Sequence, residues 1–163
     1  MYRLLLCSLV LISACGMADV RKSRFPKQIA VGMEYLDYDE RKDRSVLKKF
    51  LGVDPSKTEW CAAYANSVLK QSGIPGSESV SNVPLMARSF LDWGWPIKVP
   101  EPGDIVVFPR GNRGWQGHVG FYIETKIING IEYYIILGGN QDDKVSLKMY
   151  KASSVIGIRR YEL

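Results

Sequence analysis

Pro102-Gly103-Asp104-Ile105-Val106-Val107-Phe108 is the stretch at which this chain changes its hydrophobic period. A Pro-Gly turn opens it, and five residues then run almost without a polar break, as a β-strand does. Upstream, apolar residues recur at helical spacing: Ile29, Met33 and Leu36 with Tyr35 beside them, then Val46, Leu47, Phe50 and Leu51. A third helix is expected over 60–71, with Ser56-x-x-Glu59 as a capping box and Gly73 and Pro75 as its stop. A short fourth helix spans about 85–93, ended by Trp93-Gly94-Trp95-Pro96. Downstream come a Gly/Arg-rich loop over 109–116 and strands at 119–124 and 131–137. Asn129-Gly130 joins these two strands, a strong hairpin signal. Gly138-Gly139-Asn140 breaks the second, and 145–149 and 155–161 complete about five strands. Helices first and a meander second predict an α+β fold, N-terminal helices packed on an antiparallel sheet.

The N-terminus reads as an export signal: Met1-Tyr2-Arg3, an apolar run over 4–12, then Ser13-Ala14. That run is too short to span a membrane, which takes about 20 residues. Leu11-Ile12-Ser13-Ala14-Cys15-Gly16 resembles a bacterial lipobox. The resemblance implies cleavage after residue 14 and lipidation of Cys15. Gly16 after the cysteine implies the outer membrane, facing the periplasm. The expected organisation is a signal at 1–14, a basic tether at 15–27 and one domain at 28–163. With 46% hydrophobic residues the chain is not disordered. Its charge of +5 suits an anionic polymer or lipid surface. The cations are scattered and follow an export signal, so nucleic acid is not the expected partner. A monomer is expected.

Cysteine arithmetic sharpens the reading. Of three cysteines, Cys7 leaves with the signal and Cys15 would be acylated, so Cys61 has no disulfide partner. A buried structural thiol is the ordinary alternative. The chain has one histidine, His118. One His and one available thiol make a poor zinc site, and no Gly-rich phosphate loop is present, so no metal or cofactor is expected. Cys61 falls at the start of the third helix, where free N–H groups and the dipole favour a thiolate. His118 enters an apolar strand. A nucleophile and a base so placed suit covalent catalysis.

Trp60-Cys61-Ala62-Ala63-Tyr64, Gly114-Trp115-Gln116-Gly117-His118-Val119-Gly120-Phe121-Tyr122 and Leu137-Gly138-Gly139-Asn140-Gln141, with the 102–108 stretch, together resemble the NlpC-like and CHAP families. These are papain-like cysteine peptidoglycan hydrolases. The resemblance covers about 32–159 and is closest to a compact bacterial and phage subfamily. It implies Cys61 as nucleophile, His118 as the base that keeps it a thiolate, and Asn140 as the group that orients the imidazole. Gln141 ranks second because it would face the other way in an extended segment, and Asp104 ranks lower, as a turn pin. The Cys61 N–H would serve the oxyanion hole, with Gln116 or Tyr64 as a second donor. Trp60, Trp115 and Gln116 would line a groove for peptidoglycan, although either tryptophan suits a core as well. The implied activity is amidase or endopeptidase cleavage of the wall's peptide part. A wall-binding lipoprotein that keeps the fold, or an acyltransferase with the same Cys–His pair, are the alternatives.

Overall fold

A computed structural model describes residues 25–162. The expected signal, the expected lipidation site Cys15 and the expected tether up to residue 24 lie outside the described residues. Three α-helices come first: α1 (Lys27–Met33), α2 (Arg44–Leu51) and α3 (Cys61–Ser72). Six strands follow: β1 (Trp95–Pro96), β2 (Ile105–Pro109), β3 (Gly117–Ile128), β4 (Ile131–Gly138), β5 (Ser146–Lys151) and β6 (Gly157–Arg160). All pair antiparallel in one sheet of order β1-β6-β2-β3-β4-β5. The α+β expectation holds, with six strands rather than about five. The additional strand is β1, in the stretch read as the end of a helix. It pairs Trp95 with Arg160 and Pro96 with Arg159 at the sheet edge, where a proline is tolerated. The expected fourth helix is a 3-10 helix over Ala87–Leu91.

The unbroken apolar run of β2 has a structural reason. Ile105 and Val107 face the core beneath the helices. Val106 and Phe108 face a second core with Tyr122, Tyr134, Ile136 and Ile158. A strand covered on both faces has no polar side, and this one has neighbours on both edges. β2 to β5 form the expected meander, and β6 returns to the free edge of β2. Between β3 and β4, Asn129 and Gly130 take φ of 51° and 76°, the left-handed pair of a two-residue hairpin. Asp104 pins the start of β2: it accepts from the Glu101 N–H at 2.8 Å and pairs with Arg160 at 2.8 Å through each oxygen.

α3 is the central helix, buried at Cys61, Ala62, Ala63, Tyr64, Ala65, Val68 and Leu69. Its end is as expected: Gly73 sits at φ 82°, its N–H donates to Lys70 O and that of Ile74 to Leu69 O. Its start is not. The helix begins at Cys61, with Trp60 as N-cap and no side-chain cap. Ser56 belongs to a separate 3-10 turn, Pro55–Lys57, capped by Asp54, which Arg44 holds in place. The turn takes the serine away, so no Ser56–Glu59 capping box forms and Glu59 is released to other partners.

Candidate active site

Two elements converge on the start of α3. The first is the N-terminal end of β3, which carries His118 and Val119. Pairing with β4 begins only at Phe121, so the chain before it is free to engage the helix. The Val119 N–H bonds the Cys61 sulfur, as does the N–H of Ala62. The second is the turn after β4. A Cβ on Gly139 would lie 2.6 Å from both Trp60 Cζ3 and Tyr64 Cβ, so only glycine allows this close approach. The turn thus brings residues 138–143 to the mouth of the helix.

That turn corrects the assignment of Asn140 as the residue that orients the imidazole. Asn140 has φ 56°, so the segment is not extended and strand alternation does not apply. The chain reverses there and Gln141, not Asn140, returns to the imidazole: His118 Nε2 lies 3.1 Å from Gln141 Oε1. Asn140 instead donates from Nδ2 to Glu59 Oε2 at 2.7 Å. Gln141 is anchored by its own amide, which donates to Ser146 O at 2.6 Å and Ser146 Oγ at 3.1 Å. A carbonyl only accepts, so Nε2 of the glutamine faces Ser146 and Oε1 faces the histidine. His118 Nε2 therefore carries the hydrogen, and Nδ1 is left with the lone pair. Nδ1 is buried and has no hydrogen-bond partner. Gly138 makes room, since a Cβ there would come within 3.0 Å of Gln141 Oε1 and 3.3 Å of His118 Nε2.

Tyr150 of β5 covers the imidazole, stacked with ring centroids 5.3 Å apart and 23° between planes. Phe108 stacks on Tyr150 in turn, at 4.5 Å. Burial sets the charge states. Cys61 is 3% exposed and His118 2%. Burial pushes the Cys61 thiol up, against the lowering effects of Arg110 and the Val119 and Ala62 amides. Burial, with Arg110 adding to it, pushes His118 down to about 4, against the opposing bond from Gln141. Against the expectation of a thiolate at the helix start, burial raises the Cys61 thiol and lowers His118, and both shifts favour a neutral pair.

A groove of about 440 Å³ opens over Cys61, lined by Glu59, Leu85, Met86, Ala87, Arg110, Trp115, Gln116, Gly117, Asn140, Asp142 and Asp143. Trp115 is 56% exposed and lines it, as expected. Gln116 lines it too, while its Oε1 accepts from the Arg113 N–H at 3.1 Å and so ties its own loop. Trp60 does not line it. It is fully buried and donates to Glu40 Oε2 at 3.1 Å, which makes it a core residue. Tyr64 is also fully buried, with its hydroxyl donating to Gly32 O at 2.9 Å, so it is no oxyanion donor. The sequence reading missed Arg110, Glu59 and Tyr150. Glu59 was hidden by the capping-box pattern. Arg110 follows Pro109, which pairs with Gly117 beside His118, and that register exists only in the fold.

The geometry matches what comparison finds. A family model of the CHAP domain matches residues 53–140, a span that holds Cys61 and His118 and stops one residue before Gln141. No curated protein matches the chain. With more than half of its length matched and an α+β fold that agrees, the chain belongs to the CHAP domain family, whose members are in general peptidoglycan hydrolases or amidases.

Proposed function

We propose that this protein is a cysteine amidase or endopeptidase that cuts amide bonds in the peptide part of peptidoglycan. The observation that carries the reading is the tautomer of His118. Gln141 holds the proton on Nε2 and leaves Nδ1 as a buried lone pair on the residue next to Val119, whose N–H bonds the Cys61 sulfur. A neutral imidazole with a free lone pair is a base poised for use. As Cys61 attacks the carbonyl carbon, its proton passes to Nδ1, and the new C–S bond gives a tetrahedral oxyanion. Tyr64 is the first amide of α3 to bond backwards, to Trp60 O at 2.9 Å, so the Cys61 N–H is free of the helix ladder and meets that oxyanion. Nδ1 then protonates the leaving amine, the C–N bond breaks, and water hydrolyses the thioester with His118 again as base. Gln141 keeps the imidazole oriented throughout and accepts from Nε2 while the ring is charged.

The same reading includes a lipid anchor on Cys15 that holds the enzyme at the envelope, at the outer membrane. Mass spectrometry of the mature N-terminus tests it: an unmodified Cys15, or cleavage elsewhere, excludes the anchor. The enzymatic test is digestion of purified sacculi, with the released muropeptides identified by mass spectrometry. Wild type is expected to release peptide fragments, and Cys61→Ala to lose at least about 10³-fold in rate. Undiminished cleavage by that variant excludes Cys61 as nucleophile.

One observation favours a second reading, a wall-binding domain that keeps the fold without catalysis: the burial and raised pKa of Cys61. Slow alkylation does not separate the two, because a buried neutral thiol is slow in both. Product analysis does. Sacculi bound but left intact by wild type would establish the binding module.

A further inference from the structure

The mouth of the groove holds an arrangement that bears on Cys61 and His118 only through its charge. The Glu59 side chain is 79% exposed, yet one of its oxygens is held twice. Arg110 Nη1 reaches Glu59 Oε2 at 3.2 Å and Asn140 Nδ2 reaches the same oxygen at 2.7 Å. The two donors are fixed. Asn140 is 8% exposed and set by its left-handed backbone, and Arg110 Nη2 is anchored on the Asn140 carbonyl at 3.0 Å. The acceptor is not fixed: Glu59 is an exposed side chain in the irregular stretch before α3. An exposed ion pair holds weakly, so another carboxylate can take its place.

A guanidinium and a carboxamide from separate elements thus converge on one carboxylate oxygen, in the groove that contains Cys61. We propose that Arg110 and Asn140 form a carboxylate subsite, occupied here by Glu59, that selects acidic stem peptides with a free carboxylate beside the scissile amide. A glutamyl residue linked through its side chain leaves such a carboxylate free, and amidation of the wall peptide removes it. The surroundings limit the site to a single negative group. Asp142 also lines the groove but is paired with Lys148 at 2.8 Å, while Asp143 there disfavours a second anion. Selection during turnover rests on the hydrolase reading, whereas binding of the carboxylate does not.

The test uses two synthetic stem peptides that differ only in carboxylate against carboxamide. With the full chain, wild type is expected to favour the acid by about ten-fold or more in kcat/KM, mostly through KM. Arg110→Ala erases the preference: any effect of its charge on Cys61 and His118 falls on both peptides alike, and the acid alone loses its advantage in addition. Glu59→Gln, a surface change, lowers KM for the acid several-fold by removing the competing carboxylate. Equal rates on the two peptides in wild type, or an equal loss on both in Arg110→Ala, overturn the proposal. Calorimetry on Cys61→Ala separates the two failures. If neither peptide is cleaved but the acid binds ten-fold tighter, and Cys61→Ala/Arg110→Ala loses that difference, the subsite stands and the hydrolase reading falls. Equal binding of both peptides overturns the subsite directly.

Discussion

The start of α3 and the turn over residues 138–143 both deliver a side chain to the same site, by opposite means. The helix is regular, buried over its first five residues and ended by a left-handed glycine, so Cys61 sits on ordinary helical backbone. The turn is irregular: Asn140, Asp142 and Asp143 all have positive φ, at 56°, 56° and 62°. Such backbone is sparsely populated outside glycine and persists where its surroundings fix it. Here Gln141 N–H bonds Lys144 O at 3.0 Å, and Gly139 lies against Trp60 and Tyr64. Cys61, the proposed nucleophile, therefore rides on secondary structure, whereas Gln141, which meets the His118 imidazole, rides on tertiary packing.

If that contrast is right, the two halves fail differently when cut. The largest effect belongs to His118→Ala, expected to lower kcat by about 10³-fold or more, since it removes the sequence's one imidazole, the group proposed to take the thiol proton. Gln141→Ala comes next. It frees the ring to rotate and to take the wrong tautomer, and kcat is expected to fall about 10- to 100-fold. Asn140→Ala is expected to leave kcat within about three-fold and to act on KM. Steady-state kinetics on a defined stem peptide reads all three. The reverse order for Gln141 and Asn140 would break the comparison, because it would restore the role that the family resemblance implied for Asn140.

Legibility in the sequence followed the same division. The placing of Cys61 at a helix start and of His118 at a strand start, the central helix and the 129–130 hairpin were readable because each depends on local pattern. The two-residue strand β1 was not, since only its pairing with β6 makes it a strand. The ranking of Gln141 below Asn140, whose role the family resemblance implied, fails because alternation holds only in extended backbone, and the φ of 56° at Asn140 reverses the chain. Trp60 as a groove wall failed for a related reason: sequence adjacency to Cys61 says nothing about which side of the helix start the ring takes. Arg110, Glu59 and Tyr150 come from three separate segments and meet only in the fold, so no spacing rule could have joined them.

A stability measurement sharpens the contrast next. Gly139→Ala places a methyl group 2.6 Å from Trp60 and Tyr64, both fully buried and tied by hydrogen bonds. Overpacking of this kind costs roughly 1–3 kcal/mol, and denaturant unfolding should show it as a lowered midpoint. The same change on Gly130 at the exposed hairpin meets no atom within 4 Å and strains only the φ of 76°, so its cost should be smaller. Equal costs at the two sites would mean that the 138–143 turn is not held by packing on the helix start.

The finest test is one of protonation, and its expected effect is a shift rather than a loss. Burial lowers His118 to about 4, against an unperturbed value of about 6.5. Between those values the unfolded chain binds a proton that the folded chain does not. The imidazole's contribution to stability is therefore complete above about pH 6.5 and is lost as pH falls toward 4. Unfolding midpoints should decline over that window and do so less in His118→Gln. Activity needs the same neutral ring, so kcat/KM in the free enzyme should hold well below pH 6 and fall only as pH approaches 4. Cys61, raised by the same burial, should alkylate slowly at pH 7 and speed up only above the ordinary thiol range of about 8.5. Fast alkylation at pH 6 would show the opposite balance, with the helix end and Arg110 outweighing desolvation and a thiolate–imidazolium pair standing before substrate arrives.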